Sequence, residues 1–262
     1  MTALRRIAGL PWLWAWVGAG AVWLATALFT GGMGSGEVLS AALTFGAFYV
    51  IVALGQMFVI TLGPGNVDLS IPACMTLAGT VSMKAMDGAN AMIPVGLALA
   101  LAVGFGVGWV NSGLIRLLRI PPIIATLSSS FLFQSAAIWW NRGLRVKPPP
   151  ALGDFTTAKV AGVPLIALVV IALTVIGHIV LTRTVYGRSV IAIGQNMRAA
   201  HLAGIRVERI RAATYVACAT LASLCGYLLA GFSGGAALNM GEEYLLSSIA
   251  VVGIGGTSVA GG

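Results

Sequence analysis

The chain has 262 residues, of which 58% are hydrophobic and 8% are charged, and its formal net charge is +8. Soluble domains carry roughly a quarter charged residues, so this chain has too few polar side chains to cover a surface in water. Its basic residues lie mostly in the connections between apolar stretches and are not interleaved with aromatic ones. They are therefore better explained by membrane topology than by binding to nucleic acid, which we do not expect as a partner.

Apolar segments near twenty residues recur along the chain, and a helix needs about that length to cross roughly 30 Å of hydrocarbon. Backbone groups there must bond to one another, which favours helices, whereas a β-barrel would show short alternating segments. We predict an all-α polytopic membrane protein with about eight transmembrane helices in a single domain over residues 1–262. The segments are 11–30, 38–62, 71–86, 91–115, 121–140, 163–182, 212–232 and 246–262.

The first segment follows Arg5 and Arg6 and is longer than the apolar core of a secretory signal, so we interpret it as a retained helix. If the N-terminus lies in the cytoplasm and the segments alternate, basic residues are twice as frequent on the cytoplasmic side, as the positive-inside rule requires. The cytoplasmic ones are Arg5, Arg6, Arg116, Arg119, Arg183, Arg188, Arg198, Arg206, Arg209 and Arg211; the outer ones are Lys84, Arg142, Arg145, Lys147 and Lys159.

The connection between the second and third segments, residues 63–72, is short and contains one acid, Asp68. Glycines permit unusual dihedral angles, and Ser70 can cap a new helix whose first turn accepts Pro72. The pattern predicts a broken helix that enters the bilayer near 63–72, and transporters often bind solute at such breaks. The alternative is a tight surface turn with a solvated Asp68.

The fourth segment places small residues every four positions, at Gly104, Gly108 and Ser112. Such a ridge lets two helices approach closely. Packing within the bundle explains it, and an interface between subunits is the alternative.

The longest cytoplasmic connection, residues 183–211, contains a predicted short helix near 196–204. Asn196 is a competent N-cap, and Gly204 is a competent C′ residue. The pair Ala199-Ala200 would give this helix a smooth surface of small residues. Two turns of helix are too short to be stable alone in water, so it must pack on this chain or in a groove of a partner.

At these two connections the chain resembles the membrane permease subunits of bacterial ABC importers for monosaccharides, the ribose, galactose and xylose group. The matches follow the family's order from about residue 45. They are residues 65–70, 111–115 with 119–127, 186–188, 192–196 with 199–200 and 204–205, and 255–262. In the family, members continue with further spans beyond the element in which this chain stops at Gly262, so the resemblance implies a C-terminally short chain.

The resemblance implies a translocation subunit that carries a monosaccharide or a similar small polar solute into the cytoplasm across the bacterial inner membrane. Its partners would be an ABC ATPase, a periplasmic solute-binding protein and a second permease subunit, identical or different. The contacts with the ATPase would be Asn196, Ala199, Ala200 and Gly204. The chain departs from the family at Asn66, where a glycine is usual, and at Met197 and Arg198, where an acid is common.

The chain itself is expected to bind no cofactor, because it has no G-x-x-x-x-G-K-[ST] phosphate loop and none of its three lysines follows a glycine. ATP would bind the partner subunit. No cluster of His, Cys and acidic residues has metal-ligand spacing, and no serine has a nearby base in a plausible catalytic dyad, so we expect neither a metal site nor an enzyme.

A secondary transporter driven by an ion gradient is the main alternative. Such proteins place ionisable groups inside the bundle, whereas here Asp68 is the one acid near an apolar core. His178 lies near the cytoplasmic end of its segment and is better explained by packing than by proton relay.

Neutral sugars require hydroxyl and amide partners beside apolar walls. The candidates are polar groups on or near the helix breaks, namely Asn66, Asp68, Ser70, Asn111 and Thr126. The tryptophans mostly lie near segment ends, where interfacial anchoring explains them better than sugar stacking. The sequence does not specify the solute.

Overall fold

The structure is a computed structural model that describes residues 11–32, 34–141, 146–258 and 261. The described helices are α1 (Pro11–Phe29), α2 (Ser35–Thr61), α3 (Ile71–Met86), α4 (Ile93–Leu117), α5 (Pro122–Trp140), α6 (Pro150–Thr157), α7 (Leu165–Arg183), α8 (Val185–Gln195), α9 (Met197–Leu202), α10 (Val207–Phe232) and α11 (Tyr244–Ile254). A 3₁₀ turn covers Asn90–Met92, and the strands β1 (Lys159–Val160) and β2 (Val163–Pro164) pair antiparallel. Four of the arginines assigned above to the two sides of the membrane lie outside the described residues, namely Arg5, Arg6, Arg142 and Arg145.

The chain is an all-α polytopic membrane protein, as predicted. Within the described residues, five helices are long and apolar enough to cross a membrane, and these are α2, α4, α5, α7 and α10. Helix α1 is apolar over Leu13–Phe29, while α3 and α11 have 16 and 11 residues. At 1.5 Å per residue, α11 extends about 16 Å, which is roughly half of the hydrocarbon thickness.

The last predicted segment, 246–262, is wrong at its end. Helix α11 stops at Ile254, and Gly256 takes a left-handed conformation with φ of 91°. The Thr257 amide then bonds back to the Val252 carbonyl over 3.2 Å, which terminates the helix. Beyond it, Gly261 packs closely against Gly63 in the connection between α2 and α3.

Helix α10 is the centre of the bundle, packed against α2, α3 and α4. The small-residue ridge of α4 faces it: a Cβ added to Gly104 would lie 2.6 Å from the Ala219 carbonyl oxygen. The Ser112 hydroxyl donates to the Ala212 carbonyl over 3.3 Å. The ridge therefore packs within this chain, and the intramolecular interpretation is confirmed.

This packing makes a matched pair of substitutions informative. Gly104→Ala should lower the free energy of unfolding by about 2 kcal/mol, because its methyl group would overlap the α10 backbone, and overpacking typically costs 1–3 kcal/mol. Gly106→Ala adds the same methyl group to the same helix where nothing lies within 4 Å. It should be neutral or slightly stabilising, since alanine favours helix over glycine. Thermal unfolding in detergent measures both, and equal effects of the two would contradict this account.

Candidate functional site

The helix break between α2 and α3 is irregular from Leu62 to Ser70. Gly63 and Gly65 have φ of 109° and 77°, so the turn needs glycine at these two positions. Asn66 is not among the residues with positive φ, which explains why a side chain is accepted there. Asp68 has an exposed fraction of 0%. The predicted broken helix is confirmed, and the alternative of a surface turn with a solvated Asp68 is wrong.

Ser70 directly precedes α3, as predicted, and Pro72 lies in the helix's first turn. The Ser70 side chain, however, makes no capping bond to the α3 backbone. Its hydroxyl and its amide instead both donate to Asp68 Oδ1, over 2.6 and 2.9 Å. The carboxylate lies two residues away and binds both donors, so the predicted cap is replaced by a turn closed on Asp68.

Two neighbouring helices hold this turn in place. Asn111 on α4 donates through Nδ2 to Ser70 Oγ over 2.8 Å. Ser129 on α5 donates to Asn111 Oδ1. The Leu69 amide donates to the Thr126 hydroxyl, also on α5, over 3.0 Å. Hydrogen bonds therefore hold the break against α4 and α5.

The network continues to α10 and α2. Tyr215 on α10 donates its hydroxyl to Asn66 Oδ1 over 3.4 Å, and Gln56 Oε1 on α2 accepts from the Asp68 amide over 3.3 Å. Thr126 and Tyr215 lie about 6 and 12 Å from the starts of their helices, at 1.5 Å per residue. The break thus lies one to two turns inside the helix ends on this side of the bundle.

All five residues predicted to contact solute, Asn66, Asp68, Ser70, Asn111 and Thr126, meet at this one break. All five are buried and bonded to the break or to one another. In this conformation their hydrogen bonds hold the turn in place, and all five side chains are buried from solvent. A solute could reach them only after the turn and the adjoining helix ends move apart.

Sequence reasoning missed three members of this network, Gln56, Ser129 and Tyr215. The first two are polar residues inside apolar segments, and this was the signal that could have found them, because such residues usually bond to a neighbouring helix. Among the described atoms, Asp68 Oδ2 and Gln56 Nε2 are buried without a hydrogen-bond partner. Buried groups without partners are rare, so the break keeps one free acceptor and one free donor.

The short helix α9 has the predicted ends. Asn196 Oδ1 accepts from the Ala199 amide over 2.9 Å, and Gly204 has φ of 84°. Both the N-cap and the C′ residue are therefore confirmed. Leu202 is 82% exposed at the end of this six-residue helix.

The two alanines of α9 do not share one surface. Ala199 is exposed, whereas Ala200 is 4% exposed and belongs to the hydrophobic core. The Ala200 side chain thus faces its own chain, which corrects the expectation that both alanines form one outward surface. Beside α9 lies a cavity of about 730 Å³ that is lined by Arg198 and His201 of α9 and by Arg116 at the end of α4.

Through glycines, the break contacts the last turn of α8, which leads directly into α9. A Cβ added to Gly63 would lie 3.5 Å from the Cα atom of Gly194, which precedes the α9 cap by two residues. The backbone of the break therefore touches the backbone of the last turn of α8.

The other residues singled out in the sequence lie away from this network. His178 is exposed on α7. Lys84 donates to the Trp140 carbonyl over 3.0 Å and lies 4.9 Å from the centre of the Trp140 ring, which anchors the end of α3 to that of α5.

A family model described as "Branched-chain amino acid transport system / permease component" matches residues 38–262. The autoinducer 2 import system permease protein LsrC of Enterobacter sp. (strain 638) is 31% identical over 214 residues, covering 81% of this chain and 62% of that protein. The ribose import permease proteins RbsC of Bacillus subtilis (strain 168) and Escherichia coli (strain K12) are each 31% identical, covering 81% of this chain and 66% and 67% of theirs. This chain thus spans about two thirds of the length of these relatives. No solved structure matches it.

Proposed function

The chain belongs to the family of permease components described as branched-chain amino acid transport systems, and on this premise we propose that it is a translocation subunit of an ATP-binding-cassette importer. It would carry a monosaccharide or a similar small polar solute into the cytoplasm. The relatives named for ribose and autoinducer 2 import support a small polar solute. The chain would act as a transport subunit and not as an enzyme, with ATP hydrolysed by a partner.

One observation carries the proposal: the helix turn that leads directly into a capped surface helix touches a buried helix break. Helix α9 presents Ala199 and Leu202 outward, where a partner can reach them. Gly194, in the last turn of α8 directly before α9, contacts Gly63 in the break, whose other end forms the turn closed on Asp68. A passive subunit driven by a separate ATPase needs such a connection, because mechanical work delivered at the surface must reach the interior of the bundle.

The assembly we propose has three components besides this chain. An ABC ATPase docks on α9 from the cytoplasm, and contacts Asn196, Ala199 and Gly204. A periplasmic solute-binding protein delivers solute to the opposite face, and a second permease subunit completes the pathway in the inner membrane. The N-terminus would then lie in the cytoplasm, on the side to which the described arginines of α8, α9 and α10 also belong.

The polar groups of the break would meet solute only in a second conformation. Asn66, Asp68, Ser70, Asn111 and Thr126 would exchange bonds to one another for bonds to sugar hydroxyls as the turn opens. The unpartnered Asp68 Oδ2 and Gln56 Nε2 supply one acceptor and one donor without breaking any bond of the closed state.

Reconstitution in liposomes with the ATPase and the solute-binding protein tests this function. Uptake of labelled ribose should stop when ATP or either partner is left out, and should persist when an ionophore collapses the proton gradient. Ion-driven uptake without ATP would contradict the proposal and establish the secondary-transporter alternative. A set of other pentoses and hexoses, tested in the same vesicles, then identifies the solute.

A further inference from the structure

A cavity near the one beside α9, at the same end of the bundle, is lined by a cluster of arginines. It has a volume of about 590 Å³ and lies where α4 ends, α5 begins and α10 begins. Its charged lining residues are Arg116, Arg119, Arg211 and Glu208. Three cations face one anion, so the cavity carries a net charge of +2 (3 − 1).

The single acid leaves this charge largely uncompensated. Glu208 pairs with Arg211 across 3.4 Å, and this is the one ion pair within the described parts of the chain. The Nε atom of Arg211 is buried and has no hydrogen-bond partner among the described residues. Arg116 and Arg119 are exposed. The buried Arg211 Nε atom without a partner, together with the two uncompensated guanidinium groups, indicates a site for an anion. One guanidinium group can donate two parallel hydrogen bonds to the oxygens of a phosphate.

Two exposed apolar side chains lie next in sequence to the arginines of this cavity. Leu117 and Leu118 are 78% and 64% exposed at the end of α4, between the two arginines in sequence. Such exposure is unfavourable against water but is expected against hydrocarbon. A ligand that pairs with the arginines and also covers the two leucines has an anionic head and apolar chains.

We infer that this cavity binds the phosphate headgroup of an anionic phospholipid, with the acyl chains lying along the exposed leucines of α4. Basic pockets between the ends of transmembrane helices are a known type of headgroup site. A soluble phosphate, or an acidic side chain of a protein, would use the arginines but gain nothing from Leu117 and Leu118. The inference is independent of the proposed transport function, since it needs only a membrane.

The test counts lipids retained by the full chain, purified in detergent and supplied with phosphatidylglycerol or phosphatidylcholine, using native mass spectrometry. We expect phosphatidylglycerol to be retained preferentially. R116Q/R119Q should weaken this retention about tenfold or more, given the contribution of each arginine near a lipid surface. The control R183Q/R188Q removes the same charge from exposed arginines outside the cavity and should change retention less than twofold.

A gain-of-binding variant removes the concern that the double substitution merely damages the fold. Glu208→Gln deletes the cavity's acid and frees the Arg211 guanidinium, so it should strengthen phosphatidylglycerol retention about threefold. Competition with inorganic phosphate separates the two anion sources: displacement of the lipid by phosphate at equal concentration would overturn the inference. Equal losses in the two double variants would also overturn it, as would normal lipid retention combined with lost binding of the ATPase, because the cavity would then be a protein-docking surface.

Discussion

Replacing Ala199 with glutamate should reduce ATP-driven uptake at least about tenfold while leaving the fold of the chain intact. Ala199 is exposed on α9, the proposed docking helix. A carboxylate there would be buried without a partner when the ATPase docks, and an unpaired charge in an interface costs several kcal/mol. Coupling should fail for this reason even though the helix itself forms.

Local structure makes this substitution selective for docking. Asn196 is the N-cap, so Ala199 is the third helical residue, and its exposed position leaves room for a glutamate side chain. An acid in the first turn also complements the helix dipole. The variant should therefore unfold at the same temperature as the parent chain or slightly higher.

The measurements are uptake, co-purification of the ATPase and thermal unfolding on the same preparation. Ala89→Glu, at an exposed position in the turn after α3, is the matched control and should keep uptake within about twofold. Ala200→Glu should fail differently, by unfolding the chain, because Ala200 is buried in the core. Normal uptake by a well-folded Ala199→Glu chain would remove α9 as the coupling element.

The sequence predicts the ends of α9 and the position of the break because both depend on local chemistry. An N-cap asparagine, a glycine at C′ and a proline in a first turn act within a few residues of themselves. The same is true of the α4 ridge, whose four-residue spacing alone requires a close neighbour. These features are visible in one segment without knowing which other segment lies beside it.

What the sequence does not predict depends on partners distant in the chain. The Ser70 side chain makes no capping bond to its own helix and is held by Asp68 and by Asn111, which lies 41 residues away. The orientation of Ala200 toward the core likewise depends on where α9 packs. Helices α6 and α8 were missed because a search for long apolar segments passes over helices of 8 and 11 residues. Helix α11 was extended too far because glycines 255 and 256 count as apolar while ending the helix.

Asp68→Ala should have the largest effect on stability of any substitution in the break. It removes the acceptor of two buried donors, the amide and the hydroxyl of Ser70. Each buried donor left without a partner costs about 1–3 kcal/mol, so the free energy of unfolding should fall by about 2–6 kcal/mol. Thermal unfolding in detergent should show this loss, or the chain should fail to accumulate in the membrane.

Asp68→Asn separates the structural role of this residue from a role in transport. The amide oxygen can still accept both bonds from Ser70, and the new amide group replaces Oδ2, which has no partner in the closed turn. Stability should therefore stay within about 1 kcal/mol of the parent chain, since the buried bonds are kept. If Asp68 only closes the turn, uptake by this variant should also be nearly normal. A stable, ATPase-bound Asp68→Asn chain that no longer transports would instead show that Oδ2 contacts solute when the break opens, and would place the solute path at the turn between α2 and α3.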